Sequence, residues 1–322
     1  MMALLKKSFL FIVTSLVVYL LLFAFLFYFH IDGTSLLYRA TTGFVMKGGG
    51  TYLKTHQFNT NEMHDVVIVG SSHAYRGYNP AIFNEYGYNA FNLGTSDQKM
   101  MCTFYLTKNY INHRNCKILL LDLYDRVFSQ ENIESYSDLI QNMPSDKAAF
   151  DIMLASKDVR TINMITLRYF NKNVPPNFND TSGYFKGFMA TDKYMEFPLK
   201  HRVYKYERNE ESLHYLEKLL SYLQTENIKP VMAEHALPSL SPAPDHAKFR
   251  ADILPVLKKY NVQWFDYTND TTMNDFMLFA DESHLNIHGV KIYNHRLIDD
   301  MIAAGILPEI NNTSLVDSRK EK

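Results

Sequence analysis

Cysteine and tryptophan are scarce in this 322-residue chain, which has two of the first (Cys102 and Cys116) and one of the second. No CxxC pair and no Cys/His cluster at zinc spacing occurs, so no structural metal site is expected. The two thiols leave their own pairing open. Charge of one sign is also missing: 33 Lys and Arg balance 34 Asp and Glu, for a net charge of -1. That removes the electrostatic argument for a nucleic-acid partner. Neither G-x-G-x-x-G nor G-x-x-x-x-G-K-[ST] is present, so dinucleotide and P-loop chemistry have no support and no cofactor is expected. There is no internal repeat. What remains is an ordinary globular composition, 47% hydrophobic and 21% charged, long enough for one large domain or two small ones.

One apolar run stands apart. Residues 9–29 read FLFIVTSLVVYLLLFAFLFYF without a single charge. As a helix the run is roughly 30 Å long, the thickness of a bilayer's hydrocarbon core. It is longer than the apolar core of a cleaved signal peptide and ends without a small-residue cleavage site. Lys6 and Lys7 precede it, and the positive-inside bias then keeps the N-terminus in the cytoplasm. The reading is a single-pass anchor within residues 1–32 in the cytoplasmic membrane, with the rest of the chain outside the cytoplasm.

Residues 33–64 read as a juxtamembrane connector in which Gly48, Gly49 and Gly50 break any helix. Short apolar runs then alternate with helical patterns. Strands are predicted at 65–69, 89–93, 117–123, 230–235 and 262–267, and helices at 79–87, 97–112, 209–227, 246–260 and 287–304. Strands alternating with helices imply right-handed crossovers and a parallel sheet. Strands that are apolar throughout imply burial on both faces. The expected fold is a three-layer α/β/α sandwich of flavodoxin-like type over residues 65–305. Residues 125–207 interrupt it as an aromatic-rich insertion without clean alternation, and 306–322 form a polar tail. In such a sheet, ligands sit beyond the carboxyl ends of the strands.

Two motifs fall at those ends. GSSHAYRG (70–77) follows the first strand, and its G-x-S turn would project Ser72 at the start of the next helix, with Ser71 turned into the bend. LFADESHLNIHG (278–289) precedes the last helix. There Asp281 can accept from the Nδ1–H of His284, leaving Nε2 to take a proton from a serine hydroxyl. An α/β-hydrolase would need more strands before its serine and would draw Asp and His from separate loops. Five other residues are candidates for substrate binding or for support of the site. His73 follows the nucleophile, Arg76 could bind an anion, and Asn92 could orient the turn at Gly94. His235 ends the fourth strand, and Tyr184 lies in the aromatic insertion, where it could stack on a sugar ring.

A serine on the first strand, Asp-x-x-His before the last helix and a flavodoxin-like sheet together resemble the SGNH/GDSL hydrolase superfamily over residues 64–302. GSSHAYRGYNPAIF, NLGTSDQ and DESHLNIHG are similar to its membrane-anchored branch, which includes the D-alanine transfer protein of teichoic-acid modification and alginate acetyltransferases. The resemblance implies Ser72 as nucleophile, Asp281 and His284 as its triad partners, and the N–H groups of Ser72 and Gly94 as an oxyanion hole. The usual G-x-N-D motif is absent, and LLLDLYDR stands there. It further implies a serine acyltransferase that O-acetylates a cell-envelope polysaccharide through an acyl-Ser72 intermediate, beside a multi-pass membrane-bound acyltransferase. The alternatives are an esterase or deacetylase of glycan esters, or a non-catalytic envelope-assembly protein.

Overall fold

The computed structural model describes residues 1–41, 44–128, 133–178, 181–196, 206–238, 245–273 and 276–310. Residues 311–322 of the polar tail therefore lie outside the described part, as do 129–132, 179–180 and 197–205 of the insertion. The chain begins with α1 (Met2–Tyr28), an apolar helix long enough to cross a membrane.

Five strands form the central sheet: β1 (His64–Val69), β2 (Ala90–Asn92), β3 (Cys116–Asp122), β4 (Lys229–Glu234) and β5 (Gln263–Asp266). All pair in parallel, in the order β2-β1-β3-β4-β5. This is the flavodoxin-like order, and its switch point lies between β1 and β3. Side chains alternate between two buried layers. Val67, Val69, Leu119, Leu121 and Met232 pack on one face with α4 (Met100–Tyr110), α8 (Glu210–Thr225) and α9 (His246–Lys259). Val66, Ile68, Ile118, Leu120 and Val231 pack on the other with α3 (Ser72–Gly77), the helical turn at Pro80–Glu85 and α10 (Ile287–Ala303). Burial on both faces is why these strands carry continuous apolar runs.

Two regions differ from the sequence reading. The connector contains α2 (Gly49–Gln57), so its glycines start a helix rather than break one. α2 forms because its Thr side chains dock: Thr51 Oγ1 donates to Asp138 Oδ2 at 2.7 Å and Thr55 Oγ1 to the Asn142 carbonyl at 2.8 Å. The insertion contains three helices, α5 (Ile133–Asn142), α6 (Asp146–Ser156) and α7 (Arg160–Phe170). In α5 the polar residues Ser135, Ser137, Asp138, Gln141 and Asn142 are buried along with Tyr136, Leu139 and Ile140. A short hairpin, Tyr184–Phe185 with Phe188–Met189, docks on β2 through the bond from Asn92 N–H to the Lys186 carbonyl. Cys102 and Cys116 are both buried and are not joined in a disulfide.

Candidate active site

The carboxyl end of β1 turns sharply. Gly70 has φ +143°, and a Cβ there would lie 2.8 Å from the Asp122 Cβ at the end of β3. Only glycine lets the chain pass so close in that conformation. Ser71 then caps α3: its Oγ accepts from the His73 N–H at 3.4 Å, and its carbonyl accepts from Ala74 N–H at 3.0 Å. Ser72 follows as the first residue of α3 and is half-buried.

His284 arrives from the loop before α10. Its Nε2 lies 2.8 Å from Ser72 Oγ, while its Nδ1 lies 3.0 and 2.9 Å from the two carboxylate oxygens of Asp281. Asp281 Oδ1 also accepts the backbone N–H groups of Ser283 and His284, each at 2.9 Å. Burial alone would raise the Asp281 pKa, but the bonds and charge of His284 and these two N–H groups outweigh it, so the carboxyl is held well below its usual range. The loop itself is fixed by Asn286. Its Oδ1 caps α10 at His288 and Gly289, and its Nδ2 donates to the Met277 and Phe279 carbonyls. With Nδ1 facing a carboxylate and Nε2 facing the hydroxyl, the imidazole is oriented to remove a proton from Ser72.

The second expected oxyanion donor is different. The Gly94 N–H donates to Asn92 Oδ1 at 2.9 Å, so it is committed within its own turn. Gly94 is nonetheless required sterically: a Cβ there would sit 2.6 Å from the Ala74 Cβ and 3.1 Å from the Ser71 carbonyl. Asn92 is fully buried and ties this turn to the nucleophile's helix, with Nδ2 donating to the Ala74 and Tyr78 carbonyls, each at 2.8 Å. Those carbonyls lie at the end of α3, where the Ala74 carbonyl also accepts the Tyr78 N–H at 3.2 Å.

His73 and His235 form a buried aromatic wall behind the site. His73 stacks on Tyr124 at 3.7 Å between centroids and on His235 at 4.5 Å, and meets the His284 ring edge-on at 5.1 Å. Burial, reinforced by the neighbouring histidines and Arg126, pushes the His73 pKa well down. Burial lowers that of His235 to about 4, against the bond its Nδ1–H makes to the Ala236 carbonyl at 2.8 Å. Both rings are therefore neutral at pH 7 and do not add positive charge beside His284. Tyr184 bonds to Gln57 Oε1 at 2.9 Å, which ties the insertion to α2 and uses its hydroxyl structurally.

Sequence reasoning missed Lys54. It is 1% exposed, comes from the supposed connector, and donates from Nζ to the Gly94 carbonyl while lying 4.6 Å over the Tyr75 ring. Burial, partly offset by Asp138, lowers its pKa to about 7. No motif signals it, because its role depends on α2 docking. Lys54, Tyr75 and Arg76 line a polar cavity of ≈ 510 Å³ together with Ser96, Thr191 and Lys193. Asp122, at the end of β3, accepts from Tyr78 OH at 3.0 Å; burial raises its pKa to about 7.

Among the described residues, Glu234, His246 and Asp266 lie close enough to share a metal ion. Asp266 already contacts His246 Nε2 at 2.9 Å and pairs with Arg250, so the protein's own groups occupy that carboxylate. Burial and the nearby carboxylates raise the Glu234 pKa well above its ordinary value, which favours a neutral acid over a metal ligand.

No family model matches the chain, and no curated protein matches it. Solved structures do. A GDSL-like lipase from Bacteroides thetaiotaomicron aligns at 10% identity and a TM-score of 0.40, covering 75% of this chain and 89% of that one. The SGNH-hydrolase family esterase AlinE4 aligns at 12% identity and a TM-score of 0.31, covering 76% and 97%. At such scores the likeness adds nothing to the strand order and helix layers of the chain itself.

Proposed function

We propose that the protein cleaves carboxylic esters through an acyl-serine intermediate. Ser72 Oγ attacks the ester carbonyl as His284 Nε2 takes its proton. The tetrahedral oxyanion is held by the Ser72 N–H, which at the first position of α3 has no intrahelical acceptor. Collapse breaks the ester C–O bond, and His284 returns the proton to the departing alkoxide. Asp281 orients the imidazole and stabilises its cationic form. Water, activated by the same histidine, then releases the acid and restores Ser72. The observation that carries this reading is the line of contacts from Asp281 through His284 to Ser72 Oγ, with 2.8 Å at its last step.

The polar cavity beside α3 favours a second outcome at the acyl-enzyme stage. Its Thr51, Ser96, Ser182 and Thr191 lining suits a hydroxyl-rich acceptor better than an apolar one. A glycan hydroxyl seated there would replace water, giving O-acylation of an envelope polysaccharide, with Arg76 beside it. The Lys6–Lys7 pair before α1 supports an extracytoplasmic placement of the domain, where a membrane-bound acyltransferase could supply the acyl group.

An acetyl ester of a nitrophenol tests the reading. Wild type should release the phenol in a burst equal to the enzyme present and label with a serine-directed phosphonate. A glycan acceptor that accelerates the later phase marks transfer, and turnover indifferent to glycan marks hydrolysis. Absence of both burst and label would favour the non-catalytic assembly reading.

A further inference from the structure

The apolar side chains of α6 and α7 divide into two sets. Ala148, Ala149, Ile152, Met164 and Leu167 are buried against the domain. Phe150, Leu154, Val159, Ile162 and Tyr169 face outward, from 48% exposed at Phe150 to 76% at Tyr169. An outward set this large on one helical hairpin is unusual for a surface that meets only water.

The strip of α7 next to that set is where α1 lies. Tyr19 OH donates to Asn163 Oδ1 at 2.8 Å and to Thr166 Oγ1 at 3.1 Å. Further along, the Phe170 ring packs on Phe23 at 5.4 Å, Phe27 at 5.5 Å and Tyr28 at 6.2 Å. From Tyr19 to Tyr28 a helix rises about 14 Å, roughly half the hydrocarbon thickness of a bilayer. A helix held beside that stretch shares its depth.

We propose that the α6–α7 hairpin is a second membrane contact, entering the leaflet on the C-terminal side of α1 and presenting Leu154, Val159 and Ile162 to lipid. The inference rests on the reading of α1 as a membrane span. The charges at the hairpin tip are compatible with this position. Arg160 clamps Asp158 with its Nε and Nη2 at 2.6–3.0 Å, so the two enter as a neutralised pair. Lys157 extends its long stem from the tip to Glu211 at the start of α8, 3.7 Å from its ammonium, so that this charge is paired on the domain side. Toward the other end of α7, Phe150, Ile165 and Tyr169 share a cavity of ≈ 370 Å³ with Lys47, Lys172 and the Arg168–Asp146 ion pair. Apolar walls, a tyrosine and cations at the level of Tyr28 match the composition of a headgroup layer. Continuity with a lipid-facing helix selects a bilayer over a protein partner as the occupant. The contact would hold the domain in one orientation on the membrane.

The test uses the full chain in vesicles of phosphatidylcholine and phosphatidylglycerol. L154C, V159C and I162C are labelled singly with an environment-sensitive fluorophore, the native cysteines being buried. L21C within α1 and S221C on the exposed face of α8 serve as references. At the three hairpin sites and at residue 21, quenchers on lipid acyl chains should act several-fold more strongly than at residue 221, and aqueous iodide several-fold less. If the hairpin sites behave like residue 221 while residue 21 meets lipid, the hairpin proposal fails and the anchor stands. If residue 21 also escapes the lipid quencher, the anchor reading falls and this inference with it. Hairpin sites shielded from both quenchers would mean a protein contact and would equally overturn the proposal.

Discussion

Asn92 holds the Gly94 N–H on its side-chain oxygen and the Ala74 and Tyr78 carbonyls on its side-chain nitrogen, all at 2.8–2.9 Å. One buried amide thus joins the end of β2 to the helix that begins with Ser72. Asn92→Ala would strand the Gly94 N–H and the Tyr78 carbonyl out of reach of water, the Ala74 carbonyl keeping the Tyr78 N–H, at a cost of about 2–3 kcal/mol. Asn92→Asp would place a second oxygen against two carbonyls and cost at least as much. Urea unfolding should show both losses. A change below about 0.5 kcal/mol for the alanine variant would mean that this link is not structural.

The two adjacent serines have separable roles. Ser72→Ala should reduce ester turnover by about 10⁴-fold or more, with His284→Ala close behind, because nucleophile and base act as one unit. Ser71→Ala removes only the cap on the His73 N–H, a loss of about 1 kcal/mol in stability. It should retain most activity. Rate measurements with a nitrophenyl acetate decide the matter, and a reversed order would place the nucleophile at Ser71.

Lys54 makes a third case. Lys54→Met leaves the Gly94 carbonyl without its buried donor and should lower turnover several-fold by loosening the turn beside Ser72. The amine's lowered pKa also has a definite signature. In the window from about 7 to the ordinary lysine value, the folded amine is neutral while the unfolded one binds a proton, so stability rises with pH there. Wild type should therefore gain stability relative to Lys54→Met between pH 7 and 10, and parallel curves would remove the lysine from this role.

The strands and the three polar residues of the Ser72 line were legible because each rests on local pattern. Apolar runs such as KILLLDL mark strands covered on both sides, and Asp281 and His284 share one turn. What the pattern did not carry is long-range. The Gly94 N–H looked open until the Asn92 side chain was seen to fill it. Lys54 looked like connector because nothing local reports that α2 docks under the site. In α5, buried Asp138 and Asn142 are satisfied by Thr51 and by each other, a burial that no local pattern reports. Polar burial of this kind can be read only when the partners are known.

The histidine wall gives the last prediction. His235 is buried against His73, Tyr293 and the Ala236 carbonyl, and its pKa falls from about 6.5 to about 4. Between those values the unfolded chain binds a proton that the folded chain refuses. Its contribution to stability is complete above about pH 6.5 and is lost as pH falls toward 4, on the order of 3 kcal/mol in all. Raw pH curves will mix this with opposing terms. Asp122, with its pKa raised to about 7, holds a proton in the folded state and favours folding as pH falls through the same range. The difference between wild type and His235→Gln cancels that background. Urea midpoints at pH 7.5 and 4.5 should show wild type losing its advantage over the variant at the lower value. A difference that stays constant, or widens in favour of wild type, would mean that His235 is charged within the wall.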